Sequence, residues 1–213
     1  MTDFTIYGVP GSPYLRSALL GLEEKGANYR LAVMQMGDGK KPEHLARHPF
    51  GRIPVLDHGD FRLYETQAIL RYLDDVLPSP SLQPKDAKAR ARMNQLVGIS
   101  DCYVFPQISV RITFQRIVVP MIGGTPDEAM IAAAKPDAVN CVRVIESLMG
   151  DNYLVGDQVS IADLMLIPHL FYLSITPEGR EILKDGKLQR WIERMQARPS
   201  MRNTEPERLR AAA

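Results

Sequence analysis

Cysteine is scarce in this chain of 213 residues. The two cysteines, Cys102 and Cys141, are far apart, form no C-x-x-C pair and have no histidine nearby at ligand spacing. The pattern disfavours both a disulfide scaffold and a zinc site, so we expect no bound metal. Both cysteines lie in apolar helical stretches, where a free cysteine usually acts as a small core residue.

An excess of one charge and a long apolar run are lacking as well. The 26 basic and 25 acidic residues give a formal net charge of +1, without the basic excess typical of a nucleic-acid partner. No run reaches the roughly 20 apolar residues that span a bilayer. Residues 1–4 lack the features of a signal peptide. We therefore expect a cytoplasmic protein whose partners include neither nucleic acid nor membrane.

Residues 1–78 mix strand and helix signals. The alternation in residues 4–7 predicts a strand, and Ser12 with Pro13 predicts the N-cap and first position of a helix. A second strand over 29–33 completes a strand–helix–strand unit, whose crossover makes the two strands parallel. Residues 53–56 and 61–64 flank a predicted hairpin turn at 57–60, and a helix follows from about 66 to 76.

Prolines punctuate residues 78–84, and no strand is predicted beyond them. Helix starts are signalled at residues 125–128, 160–163 and 176–178, and Pro136 predicts a kink or break in a long helix. We therefore predict an α/β domain over 1–78, a linker over 79–88 and an all-helical domain over 89–213.

The junction at Ser12 is the most informative feature for chemistry. A helix N-terminus favours negative charge and lowers the pKa of a thiolate there, and a capping hydroxyl can donate to that sulfur. The chain has no cysteine at this junction: Ser12 stands where a nucleophilic cysteine would be, and Leu15 stands where a resolving cysteine would be. The thiol would then belong to a bound ligand. The alternative is that Ser12 only caps the helix.

Two further segments could bind a peptide-like ligand. If Pro54 is cis, the backbone of Ile53 is exposed to an extended peptide, although an ordinary edge-strand proline fits the sequence equally well. Glu65 and Thr66, at a helix start, could hold the ammonium and carboxylate of an amino-acid head group, or simply complement the helix dipole. Lys40, Lys41 and Arg52 are nearby cations, and such side chains are usually solvated surface.

Several motifs together resemble the cytosolic glutathione transferases, of a bacterial type that is phi- or theta-like with an active-site serine. The motifs are IYGVPGSP at 6–13, KKPE at 40–43, HPFGRIPVL at 48–56, LYETQAI at 63–69 and VGDQVSIAD at 155–163. The similarity covers nearly the whole chain. It implies a thioredoxin-like N-terminal domain with βαβ-ββα order, followed by a helical bundle domain.

The resemblance also implies roles for individual residues, with glutathione as co-substrate. Ser12 would stabilise the glutathione thiolate. The other implied glutathione ligands are Lys40, Arg52, Ile53, a cis Pro54, Glu65 and Thr66. Tyr7 is an alternative catalytic hydroxyl, because other classes of the family keep a catalytic tyrosine near the end of the first strand. Gly39 departs from the family pattern, which has a histidine before the matching lysine, so one contact to the glycine end is in doubt.

The helical domain would shape the pocket for a small hydrophobic electrophile. Tyr103, Phe105 and Phe114 are candidate lining residues, although aromatic residues at helical spacing are more often core. The family usually forms homodimers. The alternatives to a transferase are a non-catalytic binding or assembly module, and a glutathione-dependent isomerase, dehalogenase or peroxidase on the same fold.

Overall fold

The computed structural model describes residues 4–78 and 80–211. Its contacts divide the chain into two compact units. The first comprises the described residues of 1–83 together with those of 197–213, and the second comprises residues 84–196. The sequence alone predicts a linker over 79–88, with all that follows in one helical domain. The difference is the last segment of the chain, which returns to the first helix of the first unit.

A four-stranded sheet organises the first unit in the order β2-β1-β3-β4. The strands are β1 (Phe4–Gly8), β2 (Tyr29–Val33), β3 (Val55–His58) and β4 (Phe61–Tyr64). β1 is parallel to β2 and antiparallel to β3, and β4 is antiparallel to β3. The predicted order βαβ-ββα and the thioredoxin-like arrangement are confirmed.

The core of the first unit lies between one face of the sheet and two helices, α1 (Pro13–Glu24) and α3 (Thr66–Val76). A shorter helix, α2 (Pro42–Leu45), and a 3₁₀ turn (Asp38–Lys40) follow β2. The core cluster consists of Phe4, Ile6, Leu15, Ala18, Leu19, Leu22, Leu56, Ile69 and Leu73. Successive strand residues point to opposite faces, so Thr5 and Tyr7 lie on the other side of the sheet.

The predicted bounds of the first hairpin strand and of the turn between β3 and β4 are wrong. β3 begins at Val55 rather than residue 53 and continues through His58. Asp57 pairs with Arg62 across the strands, and the Arg62 Nε donates to Asp57 Oδ1 at 2.7 Å. This cross-strand ion pair offsets the low intrinsic strand preference of aspartate. The turn is therefore shorter than predicted.

The second unit is all-helical. A long helical run comprises α4 (Ala87–Ile99), a π-helical stretch (Ser100–Val118) and α5 (Val119–Met121). It is followed by α6 (Glu128–Leu148), α7 (Ile161–Ser174), α8 (Pro177–Ile182) and α9 (Lys187–Gln196). Among residues 4–78 and 80–211, every strand lies before residue 65, as predicted. In the same residues, no helix has the length and hydropathy required to cross a membrane.

Helix starts in this unit follow their capping residues. Ser160 and Asp163 form the predicted capping box, and Thr176 Oγ1 accepts from the Gly179 amide at 3.0 Å.

The start of α6 differs from the prediction. α6 is capped by Asp127 and begins two residues later than the Thr125 signal indicates. Pro136 lies within the uninterrupted span of α6, so the predicted break is not observed.

The two cysteines differ in exposure. Cys141 is buried in α6, whereas Cys102 is exposed on the π-helical stretch. The core prediction is confirmed for Cys141 and wrong for Cys102. The buried apolar residues that follow Cys102 in sequence, Val104 and Ile108, lie on another side of the helix.

The last segment forms α10 (Pro199–Asn203) and α11 (Pro206–Ala211), both in the first unit. Arg16 of α1 is buried beneath it, and its Nη2 donates to the Met201 carbonyl at 3.0 Å. Leu209 packs against the core cluster of the first unit.

Candidate active site

The candidate glutathione ligands of the first unit share one edge of the sheet. Tyr7 pairs with Val55, and Val55 pairs with Tyr64. Gly8, at the end of β1, pairs with Val33, at the end of β2. The segments that follow β1, β2 and β4, and the segment that precedes β3, therefore all begin or end at this edge. These segments carry the predicted residues Ser12, Lys40, Arg52, Ile53, Pro54, Glu65 and Thr66.

Ser12 caps α1. Its backbone is extended, with φ −64° and ψ 128°, and its Oγ accepts from the Leu15 amide at 3.4 Å. That distance is long for an N–H···O bond, and accepting it leaves the hydroxyl hydrogen able to donate. Gly11 precedes it with φ +101°, and the Ser12 amide closes a turn onto the Val9 carbonyl at 3.0 Å. The half-buried hydroxyl is thus held at a helix start.

A second helix begins at the same edge of the sheet. α3 starts at Thr66, directly after β4, and Glu65 before it has φ 73°. A positive φ is uncommon for glutamate, and such conformations often occur at functional sites. Thr66 is buried and Glu65 is exposed. The positive ends of α1 and α3 therefore both favour anionic groups along this edge.

Lys40 and Lys41 differ in their surroundings. Lys41 Nζ lies 2.7 Å from Asp38 Oδ1, and this contact holds the pKa of Asp38 below its ordinary value. Lys40 is the exposed last residue of the 3₁₀ turn. The structure thus leaves Lys40 as the better candidate for a ligand carboxylate, because Lys41 already has an ion-pair partner.

The turn that carries Lys40 touches the loop that carries Arg52. A Cβ atom on Gly39 would lie 2.5 Å from the Gly51 carbonyl oxygen, and one on Gly51 would lie 2.7 Å from the Gly39 carbonyl oxygen. Gly51 also has φ +62°. Glycine is therefore required at both positions by close backbone approach.

The Ile53–Pro54 peptide bond is cis. The sheet ladder begins at Val55, so Ile53 lies outside it, as strand addition by a peptide would require. His44 supports this loop, since its Nε2 lies 2.7 Å from the Arg52 carbonyl oxygen and donates to it. Arg52 itself is exposed.

His48 supports the same loop from a buried position. The Phe50 amide donates to His48 Nδ1 at 3.4 Å, and the His48 ring lies 4.4 Å from the Tyr64 ring. Burial lowers the pKa of His48, and the nearby Glu65 carboxylate opposes that shift. Across the part of the chain that the structure describes, no group of three His, Cys, Asp or Glu residues could hold a metal ion.

The Tyr7 hydroxyl has another partner. It donates to Asp57 Oδ2 at 3.1 Å, and the Arg47 guanidinium lies over the Tyr7 ring at 4.8 Å. The Arg62 guanidinium, and secondarily the Tyr7 hydroxyl, hold the pKa of Asp57 below its ordinary value. Tyr7 therefore faces a charged cluster on the sheet face opposite α1 and α3, whereas Ser12 caps α1.

The predicted electrophile residues lie in the second unit. Tyr103 is 59% exposed and Phe114 is 40% exposed, so neither is a core residue. The Phe105 ring lies 6.1 Å from the buried His169 ring. Nearby, Arg116 is bound by Glu128 and Glu178, with closest distances of 2.6 Å to each.

Sequence reasoning missed the roles of His44 and His48 in holding the loop before β3. His48 begins one of the motifs that resemble the family, and His44 directly follows another. Their spacing of four residues is a weak signal, because α2 ends at Leu45 and His48 lies beyond it. It also missed Arg210, whose Nη2 donates to the Pro10 carbonyl at 3.2 Å. No local pattern signals that contact, because the two residues are 200 positions apart.

Comparison with protein families agrees with this arrangement. A model described as "Glutathione S-transferase, N-terminal domain" matches residues 2–75. A second, "Glutathione S-transferase, C-terminal domain", matches residues 128–194.

Individual proteins are similar along most of the chain. Glutathione S-transferase 3 of Zea mays is 31% identical, with 96% of this chain and 94% of that protein covered. Glutathione S-transferase F10 of Arabidopsis thaliana is 31% identical, with 86% and 87% covered. A solved structure, glutathione S-transferase I from mais in complex with an atrazine glutathione conjugate, matches with a TM-score of 0.84 at 26% identity, covering 99% of this chain and 100% of that one.

Proposed function

The chain belongs to the glutathione S-transferase family, and from this premise we propose that it is a glutathione transferase in which the Ser12 hydroxyl stabilises the thiolate of bound glutathione. One observation carries the proposal. Ser12 caps α1 at the sheet edge where the segments bearing the other candidate glutathione ligands begin or end. The thiolate attacks an electrophilic carbon of a hydrophobic second substrate.

The chemistry of the first step is thiol ionisation. A free thiol of this type has a pKa near 8.5, and lowering it by about two units makes most of it thiolate at neutral pH. The Ser12 O–H donates to the sulfur, and the N-terminus of α1 favours the negative charge. The thiol proton passes to solvent. The sulfur then forms a bond to carbon as the leaving group departs with its electron pair, and Ser12 is not modified.

The remaining ligands hold the two ends of glutathione. Glu65 accepts from the γ-glutamyl ammonium group, while Thr66 and the first amides of α3 donate to the adjacent carboxylate. The backbone of Ile53 pairs with the cysteinyl unit in the manner of strand addition. Lys40 binds the glycine carboxylate, with Arg52 as a second cation. The exposure of Lys40 and the pairing of Lys41 with Asp38 support this choice.

The second substrate is a small hydrophobic electrophile. Tyr103 and Phe114, whose rings are exposed in the helical unit, are the candidates to contact it, and Phe105 is a third. The atrazine glutathione conjugate named in the mais complex belongs to that protein and is an example of the class of product that such a reaction forms. The protein acts in the cytoplasm as a two-fold homodimer, the form that the family resemblance implies.

The test is glutathione binding by calorimetry together with the pKa of the bound thiol, followed by ultraviolet absorbance. Wild type, Ser12→Ala and Ser12→Thr are compared. We expect wild type to bind glutathione and lower the thiol pKa. Ser12→Ala should bind with similar affinity and lose most of that lowering. Ser12→Thr keeps a hydroxyl at the cap and should retain part of it.

Two outcomes would change the conclusion. If wild type does not bind at millimolar glutathione, the chain is a binding or assembly module on this fold. If Ser12→Ala lowers the thiol pKa as wild type does, another group stabilises the thiolate. A panel of alkyl and aryl electrophiles then distinguishes a transferase from an isomerase, a dehalogenase or a peroxidase that also uses glutathione.

A further inference from the structure

The last segment of the chain is fastened along α1. The Arg198 guanidinium binds both carboxylate oxygens of Glu24, at 2.7 and 2.6 Å. Asn203 Nδ2 donates to Glu23 Oε2 at 2.8 Å. The buried Arg16 donates to the Met201 carbonyl at 3.0 Å. These contacts follow α1 and hold α10 against it.

α11 continues from α10 toward the loop before Ser12. Leu209 packs against the core cluster, which holds the helix in place. The next residue, Arg210, donates from Nη2 to the Pro10 carbonyl at 3.2 Å. The same Nη2 lies 3.5 Å from the position of a Cβ atom on Gly11. A guanidinium from the far end of the sequence therefore rests on the loop between β1 and Ser12.

We propose that Arg210 is a positioning residue of the glutathione site, which holds the 9–12 loop so that the Ser12 hydroxyl meets the sulfur of the ligand. The proposal rests on the proposed function of Ser12. The loop depends on such a contact because Gly11, at φ +101°, has the conformational freedom of glycine. The Arg210 bond joins a charged donor to the buried Pro10, and hydrogen bonds with charged donors are stronger than neutral ones.

The positive charge of Arg210 also stabilises a thiolate at Ser12, in addition to the effect of its hydrogen bond to the loop. The side chain is 46% exposed, so solvent screens its field, and the hydrogen bond is the larger contribution. The Arg210 Nη1 lies 4.0 Å from Glu207 Oε1, a long and exposed ion pair. A cation next to this loop favours a thiolate at Ser12, as the N-terminus of α1 does.

The experiment compares Arg210→Met, Arg210→Lys and Arg210→Gln with wild type. Arg208→Met is the matched control, because Arg208 is an exposed arginine of the same helix. The readouts are the pKa of the bound thiol, kcat and KM for glutathione with a model aryl electrophile, and the melting temperature.

We expect Arg210→Met to lower kcat by about tenfold, which equals about 1.4 kcal/mol in the barrier, and to raise the bound thiol pKa toward that of free glutathione. KM for glutathione should change less than kcat, because the ends of the ligand are held elsewhere. Arg210→Lys should recover most of the loss and Arg210→Gln part of it. Arg208→Met should match wild type.

Three results would overturn the proposal. If the pKa of the bound thiol is the same in Arg210→Met as in wild type, Arg210 does not position Ser12, even if the melting temperature falls. Equal losses in Arg208→Met and Arg210→Met would indicate a general effect of surface charge. Absence of glutathione binding in wild type would overturn the proposed function itself, whereas normal wild-type binding with an unaffected Arg210→Met overturns only this inference.

Discussion

Gly39 and Gly51 meet backbone to backbone, and neither position has room for a side chain. Each would place a Cβ atom within 2.7 Å of the carbonyl oxygen of the other. The contact joins the 3₁₀ turn that ends at Lys40 to the loop that leads through Arg52 to Ile53. The spacing between two candidate ligand-binding segments is therefore set by main-chain atoms.

Gly39→Ala should disturb that spacing. The added methyl group meets a backbone oxygen, which cannot rotate away, so we expect KM for glutathione to rise by about tenfold with a smaller change in kcat. Overpacking of this kind should also lower the free energy of unfolding by about 1–3 kcal/mol. Steady-state kinetics and urea denaturation measure the two effects. Gly98→Ala is the control, because its Cβ atom would meet no atom within 4 Å apart from its chain neighbours and the backbone of its own helix. Unchanged KM in Gly39→Ala would mean that the two segments do not act together on glutathione.

Tyr7→Phe should leave catalysis nearly intact. The Tyr7 hydroxyl donates to Asp57, so its loss should lower the free energy of unfolding by about 1 kcal/mol and change kcat/KM by less than about threefold. Ser12→Ala should instead lower kcat/KM by about a hundredfold, as expected for a group acting directly on the nucleophile. Parallel kinetics on the two variants decide between the hydroxyls. A larger loss in Tyr7→Phe than in Ser12→Ala would assign the thiolate to Tyr7.

The helical unit should lose stability in acid because of His169. Burial lowers the pKa of this imidazole from its ordinary 6.5 to about 3, and its Nδ1 lies 2.7 Å from Ser109 Oγ. The unfolded chain binds a proton below pH 6.5, whereas the native state does not until about pH 3. The stability that the neutral His169 contributes to the free energy of unfolding is thus fully present above pH 6.5. It is lost as the pH falls from 6.5 toward 3.

Urea unfolding of wild type and His169→Gln at several pH values between 7 and 4 measures this effect. The variant should be less stable at pH 7 and should depend less on pH, so the two curves converge in acid. The difference between the curves isolates His169 from other titrating groups. Parallel curves would show that His169 takes up its proton without cost in the native state.

Trp191→Phe should weaken the start of α7. The buried Asp163 accepts from the Leu154 amide at 2.9 Å, from the Ser160 amide at 2.9 Å and hydroxyl at 2.7 Å, and from Trp191 Nε1 at 2.8 Å. Loss of the indole donor should lower the free energy of unfolding by about 1.5–3 kcal/mol. Asp163→Ala should cost more, about 3–5 kcal/mol, because it leaves several buried donors unpaired. Chemical denaturation ranks the variants, and a greater loss in Trp191→Phe would contradict this account.

Local signals predicted most elements of the first unit. Ser12 with Pro13 marks the start of α1, and the alternation in residues 29–33 marks β2. Such signals succeed because a helix cap and a half-buried strand are each defined by a few neighbouring residues. The capping box at Ser160 and the cap at Thr176 follow the same logic.

Elements that depend on distant partners could not be predicted in this way. Asp57 belongs to β3 because Arg62 binds it across the strands, while by itself aspartate favours a turn. Gly39 illustrates the same limit within the site. In the sequence, Gly39 is noticeable only because it stands where the family pattern has a histidine. In the structure, glycine is the residue type that fits against Gly51.

The candidate site combines both kinds of information. The motif around each ligand can be recognised locally, as for Ser12 or Glu65. Their common edge follows from strand pairing, which joins Tyr7, Val55 and Tyr64. The contact of Arg210 with Pro10 depends on the path of the whole chain, and no pattern within a short window indicates it.

The return of residues 197–211 to α1 also sets an order of events during synthesis. Arg16 and Met201 are 185 positions apart, and residues 84–196 are made between them. The ribosome therefore synthesises the strands of the first unit before it synthesises the segment that covers α1. Contacts of such long separation form late, since closing the intervening chain costs entropy. One side of α1 in the nascent first unit should thus remain uncovered until the helical unit has been translated.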